Sequence, residues 1–247
     1  MEKDTLLFEG ICSFCSEKLS SRALARHLKK HLSEKATQLP GAGKKSFHLL
    51  VTGEGWYIAG KVYFLHLLVD GEASIFELDD FLRVIWLECC GHLSSFHVKG
   101  RKYEYDWMDD EAIIGEDVEQ PVGNVFHTGQ VLLYEYDFGS TTRLEIKVLG
   151  EYPLNLKDDI VLMSRNEALH ILCDNCGKKP AVQLCIIHYA DEPKFFCTAC
   201  GKKHAKTCPD FEDYSAFPVV NSPRMGVCGY MGSEIIDTER DKAWNGK

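Results

Sequence analysis

Long apolar runs are missing from this chain. No segment approaches the roughly 18 consecutive apolar residues that a membrane-spanning helix needs, so no membrane span is expected. An apolar leader is missing as well. The chain opens Met1-Glu2-Lys3-Asp4, which predicts a protein that is not exported and stays in the cytoplasm. The signatures of several common catalytic centres are also lacking. There is no His-Glu-x-x-His, no His-x-Glu paired with Pro-Cys-x-x-Cys, no serine-nucleophile motif and no phosphate loop. The stretch Ala36 to Lys45 comes nearest to a phosphate loop. Gln38, however, stands where the first glycine belongs, and Lys45 where Ser or Thr is required. Net positive charge is lacking too. With 28 Lys and Arg against 37 Asp and Glu, the formal charge is −9, which disfavours non-specific nucleic-acid binding by the whole surface.

Cysteine, in contrast, is plentiful. There are 11 in 247 residues, and an odd number of thiols in an unexported chain points to metal binding rather than disulfides. Charge and cysteine divide the chain in the same way. Residues 1–47 hold 9 basic and 5 acidic side chains, residues 48–172 hold 9 and 22, and residues 173–247 hold 10 and 10. The net charges are therefore +4, −13 and 0. Two cysteines lie in the first segment and six between 173 and 208, leaving Cys89, Cys90 and Cys228 apart from both groups. Three modules follow: residues 1–35, residues 46–165 after a Pro- and Gly-containing linker over 36–45, and residues 166–247.

In the first module Cys12 and Cys15 precede His27 and His31, a C-x2-C-x11-H-x3-H spacing. Two cysteines two residues apart make a knuckle, and histidines four apart share one helical face, so the four can close tetrahedrally on zinc. Leu19 and Leu24 supply a small core. Ser20 or Ser21 caps a helix running to about Leu32. This resembles the two-Cys/two-His zinc finger family, with one residue fewer than the commonest central spacing. Gly10 stands where that family usually has an aromatic residue. The resemblance implies a ββα unit. It also places Ser20, Ala23 and Arg26 at the base-reading positions of the helix, of which only Arg26 has a strong base-edge partner. Lys18, Arg22, Lys29 and Lys30 are candidate phosphate contacts. The alternatives are a solvated basic face or a protein-binding finger.

The central segment predicts an α+β domain, with strands packed around one long helix. Strands are expected at Phe47–Val51, Val62–Val69, Phe96–Tyr105, Val131–Tyr136 and Leu144–Leu149. Leu78, Phe81, Leu82, Ile85, Trp86 and Cys89 recur at helical spacing, and Gly91 ends the run. Tyr134-Glu135-Tyr136-Asp137-Phe138-Gly139, after the Leu78…Trp86 helix, resembles the plasmid pRiA4b ORF-three-like family. Members carry an insertion-element passenger description and a resolvase-like label. Trp86-Leu87-Glu88-Cys89-Cys90-Gly91-His92 and the later cysteines resemble its zinc-containing branch. Where that family continues with an acidic residue, Trp and His, this chain has Ser140-Thr141-Thr142-Arg143, so Asp137 and Ser140 are expected to form a turn. Cys89, Cys90 and His92 lie close enough in sequence for a thiol nucleophile beside an imidazole. Cys89, however, continues the apolar stripe, so core packing and a helix end are expected, and replacement of Cys90 is expected to be mild. The acidic stretch holding Asp106, Asp109, Asp110, Glu111, Glu116 and Asp117 lacks the regular oxygen spacing of a calcium loop and is expected to be solvated or to meet a partner.

The third module holds four ligand pairs: Cys173/Cys176, Cys185/His188, Cys197/Cys200 and His204/Cys208. Soft thiolates and imidazoles at this density suit tetrahedral structural zinc. The outer knuckles Cys173/Cys176 and Cys197/Cys200 enclose an expected hairpin and form one site in a treble-clef or ribbon arrangement. His204 and Cys208 then join Cys185 and His188, which resembles interleaved cross-brace fingers. On a regular strand Cys185 and His188 face opposite sides, so a kink is required; otherwise this end holds one zinc. From Pro209 onward the chain is expected to drape over the domain.

Three zinc ions are expected, and at least two. The leading functional expectation is a non-catalytic, zinc-stabilised bacterial or mobile-element accessory protein contacting nucleic acid or a protein partner. A resolvase- or nuclease-like enzyme and a purely protein-binding adaptor are the alternatives.

Overall fold

β-branched and aromatic residues crowd the middle of the chain, and there they pair into one seven-stranded antiparallel sheet. The structure, a computed structural model, describes residues 8–38, 43–105, 115–187, 194–208, 210–211 and 215–233. The described residues are mixed α and β, rich in strands, with three α-helices. Along the chain lie β1 (Glu9–Ile11), β2 (Lys18–Ser20), α1 (Ser21–Gln38), β3 (Ser46–Gly53), β4 (Tyr63–Asp70), α2 (Ile75–Leu82), β5 (Ser94–Val98) and β6 (Arg101–Tyr105). There follow β7 (Val131–Tyr136), β8 (Thr142–Tyr152), β9 (Ile160–Arg165), β10 (Gln183–Cys185), β11 (Lys194–Phe196), α3 (Thr198–His204) and β12 (Ala216–Pro218).

The large sheet runs β6-β5-β7-β8-β3-β4-β9. One face presents Phe47, Leu49, Val51, Leu65, Leu67 and Val69 to Leu78, Leu82 and Trp86. The other face buries Leu24, Leu28 and Leu32 of α1 against Phe64, Leu68 and Met163. β4 lies under both covers and is buried at all eight positions, which is why it reads as a nearly unbroken apolar run.

Strands β9 and β12 are not among the expected ones, and three further elements differ from the sequence expectation. The helix expected over 78–89 is eight residues long and passes into a five-residue π turn, Arg83–Leu87. Its start is fixed by a capping box, with Ser74 Oγ accepting from the Glu77 N–H and Glu77 accepting from the Ser74 N–H. The expected strand Phe96–Tyr105 is a hairpin, because Lys99 (φ 49°) and Gly100 (φ 82°) both take left-handed conformations and form a two-residue turn. Finally, α1 runs to Gln38 rather than Leu32, because Ala36 continues the apolar stripe of Leu28 and Leu32.

The β1–β2 hairpin lies against the free edge of β9. Ser13 N–H donates to Met163 O (2.9 Å) and Glu167 N–H to Glu9 O (2.8 Å). Gly10 bridges Asn166. A Cβ at Gly10 would stand 2.4 Å from Arg165 O, so this position has no room for an aromatic ring. The carboxy-terminal end forms a three-stranded sheet, β11-β10-β12. Residues 221–230 then return as a turn-rich strap beneath the large sheet, buried except at Cys228 and Gly229.

Candidate metal centres

Four groups of Cys and His side chains converge so that the donor atoms within each lie within 4.8 Å of one another. All 11 cysteines are free thiols.

The first group is Cys12, Cys15, His27 and His31. The turn between β1 and β2 supplies the thiols, closed by the Ser16 N–H to Cys12 O bond (2.8 Å). One face of α1 supplies the imidazoles. His27 Nε2 lies 3.2 Å from Cys15 Sγ and 3.1 Å from His31 Nε2. His27 Nδ1 sits 3.6 Å from the Glu17 carboxylate, an arrangement that turns Nε2 toward the other donors.

The second group is Cys173, Cys176, Cys197 and Cys200. Cys197 is the N-cap of α3 and Cys200 lies in its first turn. Cys173 and Cys176 occupy a turn closed by Gly177 N–H to Cys173 O (2.7 Å). Asp174 locks the two knuckles together: its carboxylate accepts from Phe195 N–H (2.6 Å), and its own N–H donates to Phe195 O. Backbone N–H groups of Lys178 and Lys179 pull the Cys176 thiol down to about 6. At Cys200 a hydrogen bond from the Asn175 amide (3.2 Å) favours the thiolate, but desolvation and neighbouring thiols outweigh it and push that thiol up to about 11. Thiolates this close repel one another unless a cation lies among them.

The third group is Cys185, His204 and Cys208. β10 ends at Cys185, and the other two follow one another at the end of α3, joined by Cys208 N–H to His204 O (3.0 Å). The His204 ring stacks on Phe196 (4.5 Å) and meets Phe211 edge-on (5.0 Å). His188 lies outside the described residues.

The fourth group is Cys89, Cys90, His92 and Cys228. The segment 86–92 resembles a zinc-containing branch in sequence, but its convergence with Cys228 as a ligand set is not among the sequence expectations. Cys90 Sγ lies 3.7 Å from Cys89 Sγ and 3.8 Å from Cys228 Sγ. His92 Nε2 lies 2.9 Å from Cys90 Sγ and 3.1 Å from Cys228 Sγ. The helix ends before Cys89, which is partly buried and packs against the edge of the main core, with its sulfur within reach of the other three donors. The available sequence signal was arithmetic: these are the three cysteines left once the other groups are assigned.

Beside this group runs the Tyr134–Gly139 segment. Asp137 takes φ 63° and its Oδ1 accepts from the N–H groups of Gly139 (3.0 Å) and Ser140 (3.1 Å), a side-chain-closed turn. Its Oδ2 accepts from Arg224 (2.5 Å), a fully buried guanidinium of the strap. Burial alone would raise the Asp137 carboxyl, but the hydrogen bonds from Arg224, Ser140 and Gly139 outweigh it and hold the group below its usual range. Arg224 also stacks on Tyr136, 4.8 Å from the ring centre, and reaches Cys89 Sγ at 3.5 Å.

The candidate nucleic-acid residues Arg22, Arg26, Lys29 and Lys30 are all exposed on α1. Of the acidic stretch, Glu116 and Asp117 are described, and Asp106, Asp109, Asp110 and Glu111 lie outside the described residues.

No family model and no curated protein matches the chain. Among solved structures, MM3350 from Methanosarcina mazei Go1, a protein of unknown function, is similar at 15% identity, covering 54% of this chain and 75% of its own, with a TM-score of 0.40.

Proposed function

We propose that this chain is a non-catalytic binding protein, organised by zinc, whose amino-terminal helix contacts nucleic acid. The observation that carries this reading is the lengthwise division of α1. Leu24, Leu28 and Leu32 are buried against the sheet, while Arg22, Arg26, Lys29 and Lys30 are exposed. Lys30 lies 3.9 Å from Glu34, an exposed pair that solvent screens. Among the described residues, Arg22, Arg26 and Lys29 meet no carboxylate. In the two-Cys/two-His finger reading, zinc on Cys12, Cys15, His27 and His31 ties this helix to its hairpin, and Arg26 is placed to reach a guanine edge.

Zinc fits the donor sets on chemical grounds. Sulfur and imidazole are its ordinary ligands, and the sets of four leave no open position for a reacting water, while Cys185, His204 and Cys208 show three donors among the described residues. In the carboxy-terminal module Cys173, Cys176, Cys197 and Cys200 would hold one ion in treble-clef fashion. Cys185, His204 and Cys208, with His188, would hold a second as in a cross-brace. The Tyr134–Gly139 motif supports placing the central domain in the plasmid pRiA4b ORF-three-like family.

The test is a duplex-DNA binding titration at three salt concentrations. Each phosphate neutralised contributes about −0.9 to the slope of log affinity against log salt, so four contacts give roughly −3.6. Lys29→Ala/Lys30→Ala should flatten that slope by about 1.8, given one phosphate contact each. An unchanged slope moves the contact off this helix. If folded, zinc-loaded protein binds nothing at the lowest salt, the adaptor reading takes over. Exposed Trp56 (51%) and Leu133 (39%), lining one cleft with Arg143 and Glu145, are the features that favour it.

A further inference from the structure

We propose that Cys89, Cys90, His92 and Cys228 bind an additional metal ion of the zinc class, and that this ion latches the strap over 221–230 to the turn that follows the π turn. This goes beyond the binding function proposed for α1 and does not depend on it.

The spacing of the donors is the first ground. With zinc–sulfur bonds of about 2.3 Å, the edge of a tetrahedron between two thiolates is about 3.8 Å. Cys90 stands 3.7 and 3.8 Å from Cys89 and Cys228. A disulfide would need about 2.05 Å. The His92 nitrogen joins the same group, and three thiolates with one imidazole select a soft, tetrahedral ion over magnesium or calcium.

The backbone is the second ground. Both ligand-bearing turns adopt left-handed conformations: Gly91 has φ 72°, Gly229 φ 73° and Cys228, with a full side chain, φ 49°. A non-glycine residue there is uncommon and needs its surroundings to hold it. Around Cys228 the chain is fixed by buried Tyr230, whose N–H donates to Val227 O (2.9 Å). The opposite turn is shaped by Glu88, which accepts from Gly91 N–H (2.6 Å) and from Arg83 (3.0 Å).

The third ground is a supporting hydrogen-bond donor. The Arg224 guanidinium, whose charge is paired with Asp137, also donates to the Cys89 sulfur at 3.5 Å, while the Asp137 carboxylate stands 3.5 Å from His92 Nε2. Supporting donors of this kind accompany metal ligands.

The strap is joined to the rest of the fold mainly through side chains. Its described backbone bonds within 222–230 are short-range, from Met225 to Ser222, Val227 to Arg224 and Tyr230 to Val227. Side chains do the rest of the holding, including Ser222 Oγ to Trp86 O (2.6 Å). A metal at Cys228 would close that segment onto Cys89–His92 and keep Arg224 in place under Tyr136 and Asp137.

The test uses the full-length chain, purified fresh under reducing conditions. Elemental analysis should find one zinc equivalent fewer in Cys90→Ser/Cys228→Ser than in wild type, whatever total the wild type carries. On cobalt substitution the variant should lose one site's share of the thiolate-to-cobalt absorption. Limited proteolysis should release the strap faster in the variant while the sheet stays intact. His92→Gln serves as a second variant, with a lowered zinc affinity at one site only, should the double variant fail to fold. Equal zinc content in wild type and variants, or a metal-free Cys90–Cys228 disulfide in the fresh wild type, would overturn the proposal. Loss of DNA binding would leave it standing, since that outcome concerns α1 alone.

Discussion

At position 10 even a methyl group would stand 2.4 Å from Arg165 O and 2.8 Å from Ser164 Oγ, a backbone and a partly fixed side chain. The collision can be relieved only by lifting β1 from β9. Gly10→Ala is therefore expected to lower unfolding free energy by about 1–3 kcal/mol, as overpacking usually does. Gly139→Ala, whose added Cβ would meet nothing nearer than 3.4 Å, should change it by less than about 0.5 kcal/mol. Urea midpoints at equal zinc loading decide between them. The absent aromatic at this position is visible in the sequence, whereas its cause is not, because β9 lies more than 150 positions away. Asp137 shows the same division. Its turn-forming role is local and legible in Asp-Phe-Gly-Ser. Its partnership with Arg224 spans 87 positions and leaves no periodic trace.

Among the elements, β4 and β3 carry a buried histidine pair under α1. His48 Nε2 and His66 Nδ1 are 2.9 Å apart, so one donates and the other accepts. A proton on the accepting nitrogen would place two donors face to face, and the far nitrogens, His48 Nδ1 and His66 Nε2, are buried with no hydrogen-bond partner for a new proton. Burial pulls His48 down to about 4, and burial with the neighbouring imidazole pulls His66 down to about 3. Both depressed values lie below an unfolded value of about 6.5, so the unfolded chain binds more protons. Stability is thus full above that value and falls as the pH drops toward 4 and then 3. By pH 5 the loss should be about 2 kcal/mol per histidine. His48→Gln/His66→Gln should show a stability difference between pH 7 and pH 5 smaller by about 4 kcal/mol than wild type; an identical pH dependence would assign the acid sensitivity to the metal ligands instead. Strands β3, β4, β7 and β8 are legible in the sequence because burial stamps alternation or solid apolar runs on them. The β5–β6 turn is not, since Lys99 is an unusual residue for a left-handed turn position. Nor is the π turn, which leaves the apolar spacing of Ile85 and Trp86 helical in appearance.

For the molecule as a whole, the carboxy-terminal module has two small cores, one of Ala181, Leu184, Phe195, Phe217 and Met225 and one built mostly from its ligands. Of the seven buried residues in the second, five are cysteines, accompanied by Phe196 and Phe211. Structural zinc in finger peptides contributes about 10–16 kcal/mol of apparent binding energy, comparable to or above the entire stability of an ordinary domain. Cys173→Ser should accordingly unfold residues 166–210 while the β3–β9 sheet, with its separate core, persists. Hydrogen exchange read by region is the measurement, and retained protection across α3 in the variant would contradict it. This module is the most legible part of the chain because a knuckle writes its chemistry into four neighbouring positions. The Cys89–Cys228 group is the least legible, because it joins residues that only the finished topology brings together.

The docking of α1 onto the sheet has a consequence for how the chain is made. Its apolar face is covered by β4, by Met163 of β9 and by Tyr152 and Leu154, whereas its own ligands are complete by His31. The amino-terminal unit can therefore close on a metal early, but its partners arrive late. Synthesis at about 5–20 residues per second needs roughly 7–26 s to travel from residue 33 to residue 163. Through that interval Leu24, Leu28 and Leu32 lie open on a preformed helix, so the hazard of self-association belongs to the nascent chain on the ribosome and ends when β9 emerges.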